Sequence, residues 1–119
     1  MGKQITEMLK GTLEGIVLAI LIRRPAYGYE ITARLRQQGF ADIAEGTIYA
    51  LLVRVEQRGL VDAEKVPSEK GPPRKVYALN ARGRAYLGEF WSTWDSLAER
   101  IQQLRKESDD DEADREARR

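Results

Sequence analysis

The stretch EGTIYALLVRVEQRGLVDAEK, residues 45–65, decides the fold of this chain. Its first part, residues 45–58, places apolar residues at helical spacing. The residues that share the inner face of this predicted helix are Ile48, Leu51, Leu52 and Val55. After Gly59, a residue type that commonly ends helices, residues 60–66 alternate in polarity as a strand does. We therefore predict a short amphipathic helix followed directly by the first strand of a hairpin.

The outer face of this helix is small and mostly uncharged, whereas a surface helix usually carries charge there. This face and its flanks consist of Gly46, Thr47, Tyr49, Ala50, Val53, Arg54 and Gln57. Short side chains permit close approach to the major groove of a duplex, where Ala50 and Val53 suit thymine methyl groups. Arg54 and Gln57 can donate to base edges or phosphates, and the hydroxyls near the helix start can hold a phosphate. The face is therefore a candidate DNA-contacting surface. In the simpler interpretation it is the outside of a three-helix body, with Tyr49 packed on a neighbour.

Two further helices precede this stretch. Residues 5–22 carry apolar residues at helical spacing and predict a first helix, which Arg23-Arg24-Pro25 ends. A second helix is predicted from residue 27 or 28 to residue 38, with Gly39 at its end. A short connector, residues 40–44, joins it to the third helix, so we expect a helix-turn-helix.

A second strand, residues 76–79, completes the hairpin. The connection PSEKGPPRK, residues 67–75, is rich in proline, glycine and charge. Lys70, Arg74 and Lys75 at this tip fit the wing of a winged helix-turn-helix, which places cations against phosphates beside the groove. The alternative is a solvated, charged turn without a partner.

Asn80 can cap a long final helix, predicted over residues 81–106. Its apolar residues follow spacings of three and four, as the seam of a coiled coil does. They are Leu87, Phe90, Trp94, Leu97, Ile101 and Leu104, with Trp91 beside them. Three small helices cannot cover this seam, so we expect a homodimer. No apolar period continues beyond residue 106, and we expect an acidic, frayed or disordered tail over residues 107–119.

The predicted fold is mainly α with a small β-hairpin. Residues 1–80 form a winged helix-turn-helix DNA-binding domain, residues 81–106 a dimerisation helix and residues 107–119 the tail. The formal net charge of +1 over 119 residues hides an asymmetry, because residues 1–106 hold 17 basic and 12 acidic residues. The tail holds seven acidic residues and three arginines. A basic body permits phosphate binding without proving it.

The composition also excludes several classes of function. Cysteine and histidine are both absent, which removes disulfides, thiolate metal sites and the commonest general base. No arrangement of an acid, base or nucleophile is apparent, so we expect neither an enzyme, a cofactor nor a metal site. No apolar run reaches membrane-spanning length and no signal peptide is recognisable, so we expect a cytoplasmic protein.

Four stretches carry a resemblance to a known family. They are MLKGTLEGIVLAIL (residues 8–21), YGYEI (27–31), EGTIYALLVRVEQRGLV (45–61) and EKGPPRKVYALNARGRAYL (69–87). In this order and at these spacings, the chain resembles the PadR family of bacterial transcriptional regulators, in the smaller subfamily with a single C-terminal helix. The resemblance covers about residues 5–105.

The resemblance implies a homodimeric winged helix-turn-helix repressor that binds a palindromic operator in double-stranded DNA. It implies that Thr47, Tyr49, Arg74 and Lys75 meet the DNA, whereas residues 27–29 hold the helix pair in position. It further implies that a small-molecule effector releases the repressor. Some small relatives bind planar aromatic compounds at the dimer interface, and the matching residues are Trp91 and Trp94, with Phe90 and Met8 as neighbouring walls.

Two alternatives stay open at this point. Both tryptophans can simply fill the dimer core, as aromatic seam residues usually do. The chain can also be a dimeric protein–protein interaction module that uses the same helices without binding DNA. Neither the operator, the regulated genes nor the identity of an effector follows from the sequence.

Overall fold

The computed structural model describes residues 3–118 of the chain. Five helices and three short strands are present in this part. They are α1 (Lys3–Leu9), α2 (Leu13–Ile20), β1 (Ala26–Tyr27), α3 (Gly28–Gln37), α4 (Glu45–Gln57), β2 (Val61–Val66), β3 (Arg74–Leu79) and α5 (Ala81–Ala117). The chain divides into two compact units, of which the first ends at Leu87 and the second begins at Gly88. The first unit therefore includes the beginning of α5.

The core of the first unit lies where α2, α3 and α4 pack together. Leu18, Ile31, Leu35 and Leu52 are fully buried there. The predicted inner face of α4 is confirmed, since all four of its apolar residues are buried. Full burial stabilises the fold by about 1.5–3 kcal/mol for each such side chain, which fixes the rotation of α4 about its axis.

The first predicted helix is wrong in one respect, because residues 5–22 form two helices. Gly11, between α1 and α2, has φ +90°, a backbone conformation that other residues rarely adopt. Thr12 closes the turn, since its backbone N–H and its hydroxyl both donate to the Leu9 carbonyl, at 2.9 and 2.7 Å. A glycine with positive φ thus ends α1 although the apolar period continues across it.

The three strands form an antiparallel sheet in the order β1-β3-β2. The predicted hairpin is confirmed, and its register runs from Val61 opposite Leu79 to Val66 opposite Arg74. The connecting loop is therefore residues 67–73, shorter than predicted. The strand β1 was not predicted; it pairs Ala26 with Tyr77 and so joins the start of α3 to the hairpin.

The last helix begins as predicted, because the Gly83 N–H donates to the Asn80 Oδ1 atom at 2.9 Å. Its predicted end at residue 106 is wrong: α5 continues to Ala117 and spans 37 residues. Residues 107–117 contain neither glycine nor proline and include several good helix formers, so α5 continues without an apolar seam. None of the helices in residues 3–118 has the length and hydropathy that a membrane span requires.

Candidate nucleic-acid interface

The outer face of α4 is open to solvent. Every predicted contact residue on this helix is exposed: Thr47, Tyr49, Ala50, Val53, Arg54 and Gln57. Val53 is 53% exposed, so its side chain is available for contact on this face. The face thus combines short apolar side chains with peripheral polar ones, the composition that suits a groove lined by base edges.

Tyr49 is packed on a neighbour and is also partly open to solvent. Its ring edge lies against the backbone of Gly28, while the rest of the side chain stays exposed. A Cβ atom built on Gly28 would lie 2.6 Å from the Tyr49 Cε1 atom, so a larger residue at the start of α3 requires the Tyr49 ring to move. This contact fixes the direction in which Tyr49 leaves α4.

Tyr49 forms one wall of a cleft of about 740 Å³ between α4, the start of α3 and the hairpin. The residues that line this tyrosine cleft are Tyr27, Gly28, Tyr29, Tyr49, Arg74, Lys75 and Tyr77. The structure thereby brings together three predicted site residues with two tyrosines, Tyr27 and Tyr29, that were expected to act only in positioning. The rings of Tyr27 and Tyr29 are stacked, with centroids 5.6 Å apart and an angle of 7° between the ring planes. Sequence analysis missed this cleft because β1, which holds Tyr27 against β3, is only two residues long.

Arg74 and Lys75 differ in their electrostatic surroundings. The Arg74 guanidinium lies 5.4 Å from the centroid of the Tyr29 ring, and no ion pair within residues 3–118 neutralises it. Lys75 is paired with Glu56 at 3.1 Å, and this hydrogen bond, together with the negative charge of Glu56, raises the pKa of Lys75. Within the described residues, Arg74 is therefore the unpaired cation of the tyrosine cleft. Lys70 is exposed in the loop and does not line the cleft.

Arg54 on α4 and Arg58 just after it belong to a cluster that was not predicted from the sequence. The Glu14 carboxylate on α2 accepts from Arg54 Nη1 at 3.2 Å with one oxygen and from Arg58 with the other. The Tyr86 hydroxyl lies 3.5 Å from the same carboxylate, and its ring centroid lies 5.0 Å from the Arg58 guanidinium. A side-chain hydrogen bond with Tyr86 and the negative charge of Glu14 raise the pKa of Arg58.

This Glu14 cluster neutralises a predicted DNA contact in the free protein. The Glu14 side chain is only 14% exposed, whereas Arg54 is mostly exposed and so is able to exchange partners. The sequence separation of 40 residues between Glu14 and Arg54 gives no local pattern by which the pair could be recognised.

The candidate effector residues lie on two different units. Trp91 and Trp94 are each 46% exposed on α5, and Phe90 packs edge to face on Trp91 with ring centroids 5.2 Å apart. Met8 is exposed on α1, and its predicted place beside the tryptophans stays a prediction. No group of three or more acidic residues within the described chain is placed to hold a metal ion.

The chain is similar to proteins of one family. The family model described as the transcriptional regulator PadR-like family matches residues 17–89. An uncharacterised protein of Lysinibacillus sphaericus is 31% identical over 98 residues, which cover 81% of this chain and 90% of that protein.

Solved structures give the same result. A PadR-like transcriptional regulator of Bacillus cereus is 37% identical with a TM-score of 0.71, over 82% of this chain and 95% of that chain. A PadR family transcriptional regulator of Eggerthella lenta is 34% identical with a TM-score of 0.78, over 85% of this chain and 88% of that chain.

Proposed function

Since the chain belongs to the PadR-like family of transcriptional regulators, we propose that it is a cytoplasmic repressor whose two copies bind a palindromic operator. In each copy α4 enters the major groove and the hairpin loop meets the phosphates beside it. The observation that carries this assignment is the exposed, nearly uncharged face of α4 beside the tyrosine cleft and its Arg74, which has no ion-pair partner in residues 3–118.

The two surfaces divide the work of recognition. On α4, Ala50 and Val53 permit close approach to base edges, while Thr47 and Gln57 supply polar contacts. In the tyrosine cleft, the hydroxyls and the Arg74 guanidinium suit phosphate oxygens, which position the protein without reading sequence. The Tyr29 ring lies 5.4 Å from the Arg74 guanidinium and favours its position over the ring.

Dimerisation is supported by α5. Leu97, Ile101 and Leu104 are about half exposed or more and lie at spacings of four and three. A helix with such an apolar stripe is stable in water when a second helix covers the stripe, as in a coiled coil. A dimer with two-fold symmetry presents two copies of α4, which requires an operator with matching symmetry.

The same surface of α5 is where we propose that an effector acts. Trp91 and Trp94 offer two large, half-exposed rings, which suit a planar aromatic compound between two copies. A compound bound there changes the spacing of the two α4 helices and releases the operator. The competing role for both rings, packing in the dimer core without a ligand, predicts no quenching of tryptophan fluorescence by a broad panel of planar aromatics.

Selection of bound duplexes from a random pool tests DNA recognition directly. We expect the selected duplexes to contain an inverted repeat. The logarithm of the affinity for this repeat should fall linearly with the logarithm of the salt concentration, with a slope of about −0.9 for each phosphate contacted. Arg74→Ala should lower the steepness of this slope by about 1.8, since the dimer loses one phosphate contact in each copy. Arg36→Ala is the matched control, because Arg36 is exposed on α3 and does not line the tyrosine cleft. Failure to enrich any duplex would favour the interaction module instead.

Sedimentation tests the dimer separately. Leu97→Glu combined with Ile101→Glu should yield monomers with a much weaker affinity for the inverted repeat. Gln102→Glu adds charge at an exposed polar position of the same helix and should leave the dimer intact. A wild-type chain that sediments as a monomer would overturn the dimeric part of the proposal.

A further inference from the structure

A second polar cavity lies at the C-terminal ends of α2 and α3. It measures about 400 Å³, within the range of small-molecule sites. The residues that line this arginine pocket are Ala19, Ile20, Arg23, Arg24, Arg34, Gln37 and Gln38. Three cations and two amides thus surround a cavity whose lining, within the described residues, contains no carboxylate.

The cations of this pocket lack anionic partners. Within residues 3–118, no ion pair joins Arg23, Arg24 or Arg34 to an acidic side chain. Arg34 Nη1 donates to the Ile20 carbonyl at 3.5 Å, a long hydrogen bond. Its Nη2 atom is buried and has no hydrogen-bond partner in the described chain. A buried guanidinium nitrogen without an acceptor is costly. A side-chain rearrangement at Arg34 that turns this nitrogen toward a bound oxyanion would remove that cost.

A purely structural role explains only part of this arrangement. Cations near helix C-termini interact favourably with the helix dipole, which accounts for the bond from Arg34 to the end of α2. It does not account for the unsatisfied Nη2 atom or for two further arginines around the same cavity.

The arginine pocket is separate from the tyrosine cleft. The two cavities share no lining residue among those described. Arg34 lies six residues beyond Gly28 along α3, about 9 Å at 1.5 Å per residue. The two cavities therefore lie toward opposite ends of α3.

We propose that the arginine pocket binds a small phosphate monoester. A monoester carries a charge between about −1.5 and −2 at neutral pH and offers three acceptor oxygens, whereas a simple carboxylate carries one charge. Guanidinium groups match phosphate oxygens in pairs, and the amides of Gln37 and Gln38 supply further donors. Arg34 forms the floor of the site, and the exposed Arg23 and Arg24 admit the ligand.

The test is a titration of the isotope-labelled, full-length protein with inorganic phosphate at constant ionic strength. Backbone amide signals of residues 20–24 and 34–38 should shift and saturate. Arg34→Gln should weaken the binding by about tenfold or more, since it removes hydrogen bonds to a charged group. Arg36→Gln removes the same charge from the same helix outside the pocket and should bind as the wild type does. If Arg34→Gln does not fold, as circular dichroism would show, Arg24→Gln takes its place.

Two results would overturn the proposal. Absence of saturable shifts at these residues would mean that Arg34 only closes the end of α2. Shifts that duplex DNA produces and inorganic phosphate does not would assign the pocket to the DNA backbone instead of a small ligand.

Discussion

Gly83 on α5 lies against the backbone carbonyl of Leu60, so closely that a Cβ atom at Gly83 would overlap that oxygen. Leu60 lies just before β2, and its carbonyl is held in place because it accepts a hydrogen bond from the Asn80 backbone N–H at 3.4 Å. This contact fixes the beginning of α5 to the hairpin.

Gly83→Ala should therefore lower the free energy of unfolding by about 3 kcal/mol or more, because backbone has to move on both sides. Gly88→Ala is the matched control in the same helix, since a Cβ atom there would have no neighbour within 4 Å among the described residues. It should raise stability by about 0.5–1 kcal/mol through helix propensity. Chemical denaturation measures both, and equal effects of the two changes would contradict the close contact.

Glu14→Gln should strengthen binding to duplex DNA without regard to sequence. The change removes the carboxylate that pairs with Arg54 and Arg58, so both cations become available to phosphates. We expect the affinity for a non-target duplex at low salt to rise about fivefold. Glu89→Gln makes the same charge change at an exposed position of α5 and should leave the affinity nearly unchanged. A non-target affinity that stays constant in Glu14→Gln would place Arg54 away from DNA.

Gly28→Ala should displace Tyr49 and so weaken DNA binding. The new methyl group would lie 2.6 Å from the edge of the Tyr49 ring, so the ring has to leave its present position. We expect a loss of affinity of about tenfold or more, as follows when a positioned contact is removed. The double variant Gly28→Ala with Tyr49→Ala relieves the overlap; it should recover stability but not affinity. Recovery of affinity as well would show that Tyr49 has no part in binding.

Stability should decline at alkaline pH. Burial raises the pKa of Tyr77, which is 6% exposed, and the Glu56 partner raises the pKa of Lys75. In both cases the folded state favours the protonated form. The stabilisation of the folded state by these protonated groups is complete below their unfolded-state pKa values of about 10. It is lost as pH rises through their folded-state pKa values. Denaturation between neutral pH and pH values above about 10 should show this fall, and Tyr77→Phe should make it shallower. Identical pH profiles would refute the assignment to Tyr77.

The parts of the fold that the sequence predicted are those that a local pattern determines. The inner and outer faces of α4 follow from helical spacing, and the hairpin follows from a change of period next to Gly59. The Asn80 cap is likewise a local motif. The PadR-like resemblance added the function, which composition and spacing alone left open.

The parts of the fold that were not predicted from the sequence depend on contacts between distant residues or on very short elements. Two residues are too few for β1 to show an alternating pattern. Without β1, the sequence gives no indication that Tyr27 lies beside the hairpin. Glu14 meets the arginines of α4 only because α2 and α4 pack together in the core. The break at Gly11 was hidden because apolar residues continue at helical spacing on both sides of it.

The pairing of Glu14 with the arginines of α4 also bears on how quickly such a regulator finds its target. A genome offers an enormous excess of non-target duplex. A protein with high affinity for phosphates of any sequence therefore remains bound to non-target sites. In the proposed DNA complex, Arg54 leaves the Glu14 carboxylate before it contacts a phosphate, which lowers the net attraction to arbitrary DNA. We expect short residence times on non-target DNA and therefore a faster search for the operator. The residence time should be longest at the operator, where contacts to base edges add to the contacts with phosphates.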